Sequence, residues 1–269
     1  MLNRRHDDQQ ADFELVDIPL FKPGLRDKSV LILGGGSGIG FATARIAHAL
    51  GANVLVAGRT REALERASIE IGGCDFAVAD VTRSEDLQAV FESRQKFDHI
   101  LLAAGTHLFG KLAELTRAEI SVLVEERLWA PINIGKLAAK HMTEGSITFL
   151  SGGLGSRPVP GAALKHAVLC ATEGLTRGLA LDLAPIRVNA VAPGYTRTPL
   201  FESLLGPDPS SKMKQMAATI PVKRLGDAMD AAYAAIHLMT NGFMSGEVMH
   251  VDGGGRFVPP SLAFVDNTK

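Results

Sequence analysis

VLILGGGSGIGFATARIA, residues 30–47, decides how the rest of this chain is read. Val30–Leu33 is a run of long or branched apolar side chains, the pattern of a strand buried on both faces. Glycines follow at 34, 35, 36, 38 and 40, and from Ile39 small and apolar residues recur at helical spacing. A strand that turns through glycines into a helix lets the backbone approach a diphosphate. The helix start adds unpaired N–H groups and the positive end of its dipole. Gly34, Gly36, Ser37, Gly38, Ile39 and Gly40 are therefore candidate cofactor-binding residues.

Outward from this unit the alternation continues. Six further runs read as strands: 53–57, 75–79, 99–104, 146–151, 186–191 and 247–251. Helical patterns lie at 39–50, 61–71, 84–95, 118–142, 164–184 and 227–240. Strand–helix alternation throughout predicts an α/β fold with a doubly wound parallel sheet in a single domain, residues 28–269. Residues 1–27 lie outside the alternation, with PLFKPGL as a Pro/Gly boundary. Composition leaves open whether that arm is disordered or packs on a neighbouring subunit.

The 269 residues are 46% hydrophobic and 21% charged, enough to bury a sizeable core. A net charge of −1 gives no overall pull toward nucleic acid or an anionic membrane. Cys74 and Cys170 match no metal spacing and read as small buried side chains in a reducing compartment. The polar start MLNRRHDDQQADFEL has no apolar core of a signal peptide, and no apolar run is long enough to cross a bilayer. The expectation is a cytoplasmic protein that acts on a small molecule, without nucleic acid, membrane or metal.

The second strand ends in VAGRT. A dinucleotide site for NAD places a carboxylate here for the ribose 2′-hydroxyl. This chain has Gly58 and then Arg59, a cation suited to a 2′-phosphate, with Thr60 and Ser37 as further donors. The pattern predicts NADP(H).

Further motifs complete the picture: AD-V at 79–81, LLAAG at 101–105, IRVNAVAPG at 186–194, Thr198–Pro199 and SGEVMHVDGG at 245–254. With the Gly34/Gly38/Gly40 spacing, the chain resembles a short-chain dehydrogenase/reductase over residues 27–256. The resemblance implies a Rossmann-type seven-stranded sheet and a homotetramer or dimer. It places Asp80 and Val81 at the adenine, and Ala104 and Gly105 at the cofactor ribose. Pro193, Gly194, Thr196 and Thr198 flank the nicotinamide.

The family's proton-handling group is an Asn, a Ser and a Tyr-x-x-x-Lys. An ungapped alignment on the downstream LTRGLALDLAP and IRVNAVAPG puts the tyrosine position on Lys165 and the lysine position on Leu169. The serine position falls on Gly152 and the asparagine position on Arg127. All four are changed, while the cofactor motifs are kept. Candidate replacements are Lys165 and Arg127, then His107, Tyr195 and Ser151 near the expected nicotinamide. His166, about 100° around the helix from Lys165, is expected to face another helix or subunit.

Residues 200–221, with Leu204, Leu205, Met213, Met216 and Ile220 around a GPDP break, read either as an apolar lid over a hydrophobic substrate or as a helical pair packed on its own domain. The leading expectation is an NADP(H)-dependent reductase of an activated carbonyl, imine or enone with a non-standard site. The alternatives are a non-redox isomerase or cyclase and a non-catalytic NADP-binding protein.

Overall fold

The computed structural model describes residues 24–206 and 208–259, so most of the expected N-terminal arm lies outside the described residues. In chain order the first half runs β1 (Ser29–Leu33), α1 (Gly38–Ala49), β2 (Asn53–Gly58), α2 (Arg61–Ile71), β3 (Asp75–Val78), α3 (Ser84–Glu92) and β4 (His99–Leu102). Then come α4 (Arg117–Val124), α5 (Ala130–His141), β5 (Ser146–Leu150), α6 (Gly153–Ser156), α7 (Ala163–Asp182) and β6 (Arg187–Pro193). The last part is β7 (Thr196–Arg197), α8 (Pro199–Ser203), α9 (Pro209–Thr219), β8 (Gly226–Asp227), α10 (Ala228–Thr240) and β9 (Val248–Val251).

The main sheet is seven-stranded, ordered β3-β2-β1-β4-β5-β6-β9, and every pairing is parallel. The expected Rossmann-type doubly wound fold is observed. Alternate side chains of β1 show why both faces are apolar. Leu31 and Leu33 enter a core with Leu87 and Phe91 of α3 and Ile134 of α5. Val30 and Ile32 enter the opposite core with Ala44 and Ala47 of α1, Leu64 of α2 and Ala235 of α10. The strand order reverses between β1 and β4. At that point the carboxyl ends of two neighbouring strands send their chains to opposite sides, which opens a crevice. Among the described residues no helix is long and apolar enough to cross a membrane.

Two expectations change: Cys170, expected to be buried like Cys74, is exposed on α7, and one expected helix is broken. The single helix expected over 118–142 is interrupted by a π-helical turn, Glu125–Trp129, between α4 and α5. Pro131 supplies the reason. It has no N–H for the Arg127 carbonyl four residues earlier, and its ring crowds that carbonyl. The Ala130 N–H reaches back five residues to Glu125, and Thr172 Oγ1 of α7 donates to the Arg127 carbonyl at 2.7 Å instead. The lid segment folds as two short helices, α8 and α9. Leu205, Met216 and Ile220 pack with Phe201 and Leu225 in a small core of their own. The segment thus has its own packing, while Phe201 and Ile220 also line a pocket over the sheet. The short β7–β8 pairing, Thr196 to Gly226 and Arg197 to Asp227, closes its base.

Candidate active site

The glycine loop and α1 build one wall of the crevice. Gly40 must be glycine, because a Cβ there would overlap the Gly34 carbonyl oxygen. We expect Gly40→Ala to cost about 1–3 kcal/mol of stability and to weaken dinucleotide binding. A thermal melt and a calorimetric titration of the same variant check both. Ser37 caps α1 by position, yet its side chain makes no capping hydrogen bond, and the first turn holds no acid. The N–H groups at the start of α1 therefore open, unneutralised, onto a cleft of about 350 Å³.

All the expected cofactor residues except Gly194 and Thr196 line this cleft; those two line the adjoining pocket instead. Arg59 is exposed at the end of β2, with no carboxylate within ion-pairing distance among the described residues. Asp80 accepts from the Thr82 N–H at 2.9 Å and its hydroxyl at 2.8 Å. Burial opposes its charge, but these bonds and the charges of Arg59 and Arg83 hold its carboxyl below the ordinary value. An uncapped helix start and a glycine floor fit the diphosphate of a dinucleotide.

A second pocket, about 170 Å³, opens from the first. Ile39, His107, Arg127, Ser151, Pro193 and Thr198 line both. Its walls carry Phe109, Leu154, Val159, Tyr195, Phe201 and Ile220. Among the described residues no cluster of side chains is arranged to hold a metal.

At the junction the π turn places two charged side chains. Arg127 is 8% exposed; its Nη1 donates to the Leu150 carbonyl at 2.9 Å, and its guanidinium lies against Gly105, leaving no room for a side chain there. Its Nε is buried without a hydrogen-bond partner, and burial lowers its pKa against the opposing charge of Glu126. Glu126 is 3% exposed and accepts both the Thr106 N–H, at 2.6 Å, and the Thr106 hydroxyl, at 2.8 Å. Sequence reasoning missed Glu126.

Lys165 projects from α7, 3% exposed, and its Nζ donates to the Thr106 carbonyl at 2.7 Å. Burial first, and then the Arg127 charge, lower its pKa to about 6, with Glu126 opposing. Leu169, one turn further, packs toward Gly152, so neither position brings a polar group to the pocket.

The remaining candidates separate. His107 is pushed down to about 3 by burial and then by the charges of Lys165 and Arg127, so it is a neutral imidazole; its Nδ1 is buried and unpartnered. Ser151 lines both pockets, but its hydroxyl is committed to Glu173 of α7 at 2.7 Å. Glu173, 8% exposed, was also missed. Tyr195 lines the second pocket, 6.1 Å from the Phe201 ring centre. Burial raises its phenol pKa, partly offset by Arg157. His166 turns away from Lys165, as expected, and donates from Nδ1 to the Leu154 carbonyl of α6 at 2.7 Å.

A family model described as Enoyl-(Acyl carrier protein) reductase matches residues 34–255. Short-chain dehydrogenase/reductase ATR9 of Stachybotrys chlorohalonatus is 34% identical over 253 residues, 86% of this chain and 98% of that protein. The chain belongs to the short-chain dehydrogenase/reductase family. L-fucose dehydrogenase of Bos taurus is 33% identical, with 85% of this chain and 89% of the relative covered. The solved structure of MalC Reductase/Diels-Alderase from Malbranchea aurantiaca superimposes with a TM-score of 0.82 at 30% identity, covering 88% of this chain and 99% of that one. Short-chain dehydrogenases/reductases use nicotinamide cofactors, which agrees with the crevice at the β1–β4 switch.

Proposed function

We propose that this short-chain dehydrogenase/reductase is an NADP(H)-dependent reductase of an activated acceptor, a carbonyl, imine or enone, and that Lys165 stands where the family has its tyrosine. The observation that carries the reading is a buried amine beside a buried guanidinium where the dinucleotide cleft opens into an apolar pocket. Bound in the cleft, a dihydronicotinamide supplies the hydride. The chain's own residues hold the acceptor against it. Apolar walls exclude water, the π turn fixes Arg127, and Thr106 fixes the Lys165 amine. Positioning of this kind is worth about 7–11 kcal/mol, more than the ~10²–10⁴-fold of general acid–base help, so hydride transfer survives a changed proton donor when the acceptor is already activated.

Arg59, exposed at the end of β2 with no carboxylate within ion-pairing distance among the described residues, supports NADP(H) over NAD(H). Arg59→Ala is expected to weaken NADPH binding about tenfold and to leave NADH binding unchanged. Calorimetric titration of parent and variant with each nucleotide checks this; a parent without a preference ends the NADP assignment. The reaction itself is tested by loss of NADPH absorbance with a panel of enones, imines and ketones.

One observation favours a second reading. The structural relative MalC is named as both reductase and Diels-Alderase. In that reading bound NADP shapes the pocket, and Arg127 and Lys165 steer a cyclisation or isomerisation. Product formed without NADPH consumption separates it from the first. Exposed Trp129 at the end of the π turn and Leu181 on α7 support a homo-oligomer as the working form, which analytical ultracentrifugation tests.

A further inference from the structure

We propose that the Lys165 amine is a nucleophile: it condenses with the carbonyl carbon of an apolar α,β-unsaturated aldehyde or ketone, and the resulting iminium is what accepts hydride. The inference deepens the reductase reading and rests on it for the hydride step alone. It stands on how Lys165 is held. The amine is buried, yet among the described residues no carboxylate lies within ion-pairing distance of it. Its hydrogen bond goes to the neutral Thr106 carbonyl, which leaves the nitrogen lone pair uncommitted. Thr106 is in turn fixed by Glu126 through its N–H and its hydroxyl, so the amine rests on a rigid support. Lys165 lines the apolar pocket where that pocket meets the cleft. A desolvated lysine next to a second cation is the arrangement that exposes a free amine at neutral pH.

The chemistry narrows the substrate. The amine adds to the carbonyl carbon, and the oxygen leaves as water with one proton from the amine and one from solvent. Hydride delivered to that same carbon would leave the lysine permanently alkylated. The productive acceptor is therefore the conjugated β carbon. It takes hydride from the dihydronicotinamide, the electron pair moves onto nitrogen as an enamine, and the α carbon takes a proton from solvent. Water then hydrolyses the iminium, releases the saturated carbonyl and restores Lys165. The sum is one enone, one NADPH and one proton giving one saturated carbonyl and NADP⁺. Saturated ketones bind the amine but are not reduced through it.

Burial sets the charge of Lys165 first, then Arg127 and, opposing both, Glu126 on the π turn; Lys165 in turn helps to keep His107, on the loop after β4, neutral. With a pKa of about 6, Lys165 is mostly free base at pH 7. The free-base fraction of an ordinary solvated lysine is then about a thousandfold smaller. The test treats the full-length protein at pH 7 with phenylpropanal and cyanoborohydride, without nucleotide, and maps the alkylated lysines by mass spectrometry. The expected result is one adduct per chain, on Lys165, at least about tenfold above exposed lysines such as Lys136 and Lys140. Alkylation spread over exposed lysines with none on Lys165 overturns the proposal. NADPH consumption is measured in parallel with an enone. An adduct at Lys165 without NADPH consumption keeps the nucleophile and ends the reductase reading. NADPH consumption with no adduct at Lys165 does the reverse.

Discussion

Lys165→Met is expected to cut enone-dependent NADPH consumption by at least about a hundredfold while NADPH affinity stays within about twofold. The two effects separate because Lys165 lines the second pocket and not the dinucleotide cleft. The same substitution is expected to make the protein more stable at neutral pH, and the sign follows from the proton count. The folded-state pKa is about 6, against an ordinary 10.5. Between those values the unfolded chain binds a proton that the folded chain does not, so the parent gains stability as pH rises through the window. The penalty of burying this lysine is full at and below about pH 6 and vanishes above about pH 10.5. Met, similar in size, carries no such penalty but leaves the Thr106 carbonyl without its donor, at a cost of about 1 kcal/mol. The net gain expected for Lys165→Met at pH 7 is about 2–4 kcal/mol, shrinking toward zero or below near pH 10.5. Denaturant unfolding of both proteins at three pH values measures it. A variant that keeps full turnover removes Lys165 from the chemistry. One that is less stable at pH 7 shows that the amine is charged in the folded state.

The order of elements was legible because the local signals agree with the global fold. The Val30–Leu33 run, the glycine loop and the small residues of α1 each point to the same strand–turn–helix unit. Arg127 and Lys165 were legible by their place in the family pattern, and the structure brings both to one pocket. Glu126 was not. Glutamates are rarely buried unless paired, and the Thr106 groups that Glu126 bonds lie 20 residues earlier in the chain, so nothing local marks it as a buried group. Leu123, Glu126, Arg127 and Ala130 are buried at ordinary helical spacing through the π turn. The signal that could have found it is its place three residues after Leu123 and four before Ala130, on the apolar face of the helix. Glu173 had a plainer signal. Lys165, Leu169, Thr172, Glu173 and Thr176 repeat at helical spacing along one face of α7, and all are buried. Polar residues on a core-facing stripe need partners, and Ser151 and the Arg127 carbonyl are those partners. The lid's small core was visible in its apolar residues, but its base pairing rests on two residues per strand, too short for any periodicity to show.

Glu126→Gln is expected to destabilise the protein by about 2–4 kcal/mol, although the substitution is nearly isosteric. The cause is charge, not shape. Glu126 is the opposite charge that acts on the buried Arg127 and on Lys165. A neutral amide still offers Thr106 one acceptor oxygen, but it leaves the Arg127 guanidinium uncompensated in an apolar surround. Removing both charges, in Glu126→Gln with Arg127→Met, is expected to recover about half or more of the loss, because the uncompensated cation is then gone. Additive losses in that double variant would assign the effect of Glu126 to its Thr106 bonds instead. The proton chemistry gives an independent readout. Glu126 raises the Lys165 pKa against burial and Arg127, so its neutralisation lowers that pKa further. Where the rate depends on free Lys165 amine, its rise with pH is centred near pH 6 in the parent, and in Glu126→Gln the midpoint moves to lower pH. A merely structural role for Glu126 would lower stability and leave that midpoint in place. A shifted midpoint makes Glu126 the positioning residue that poises the amine through the π turn.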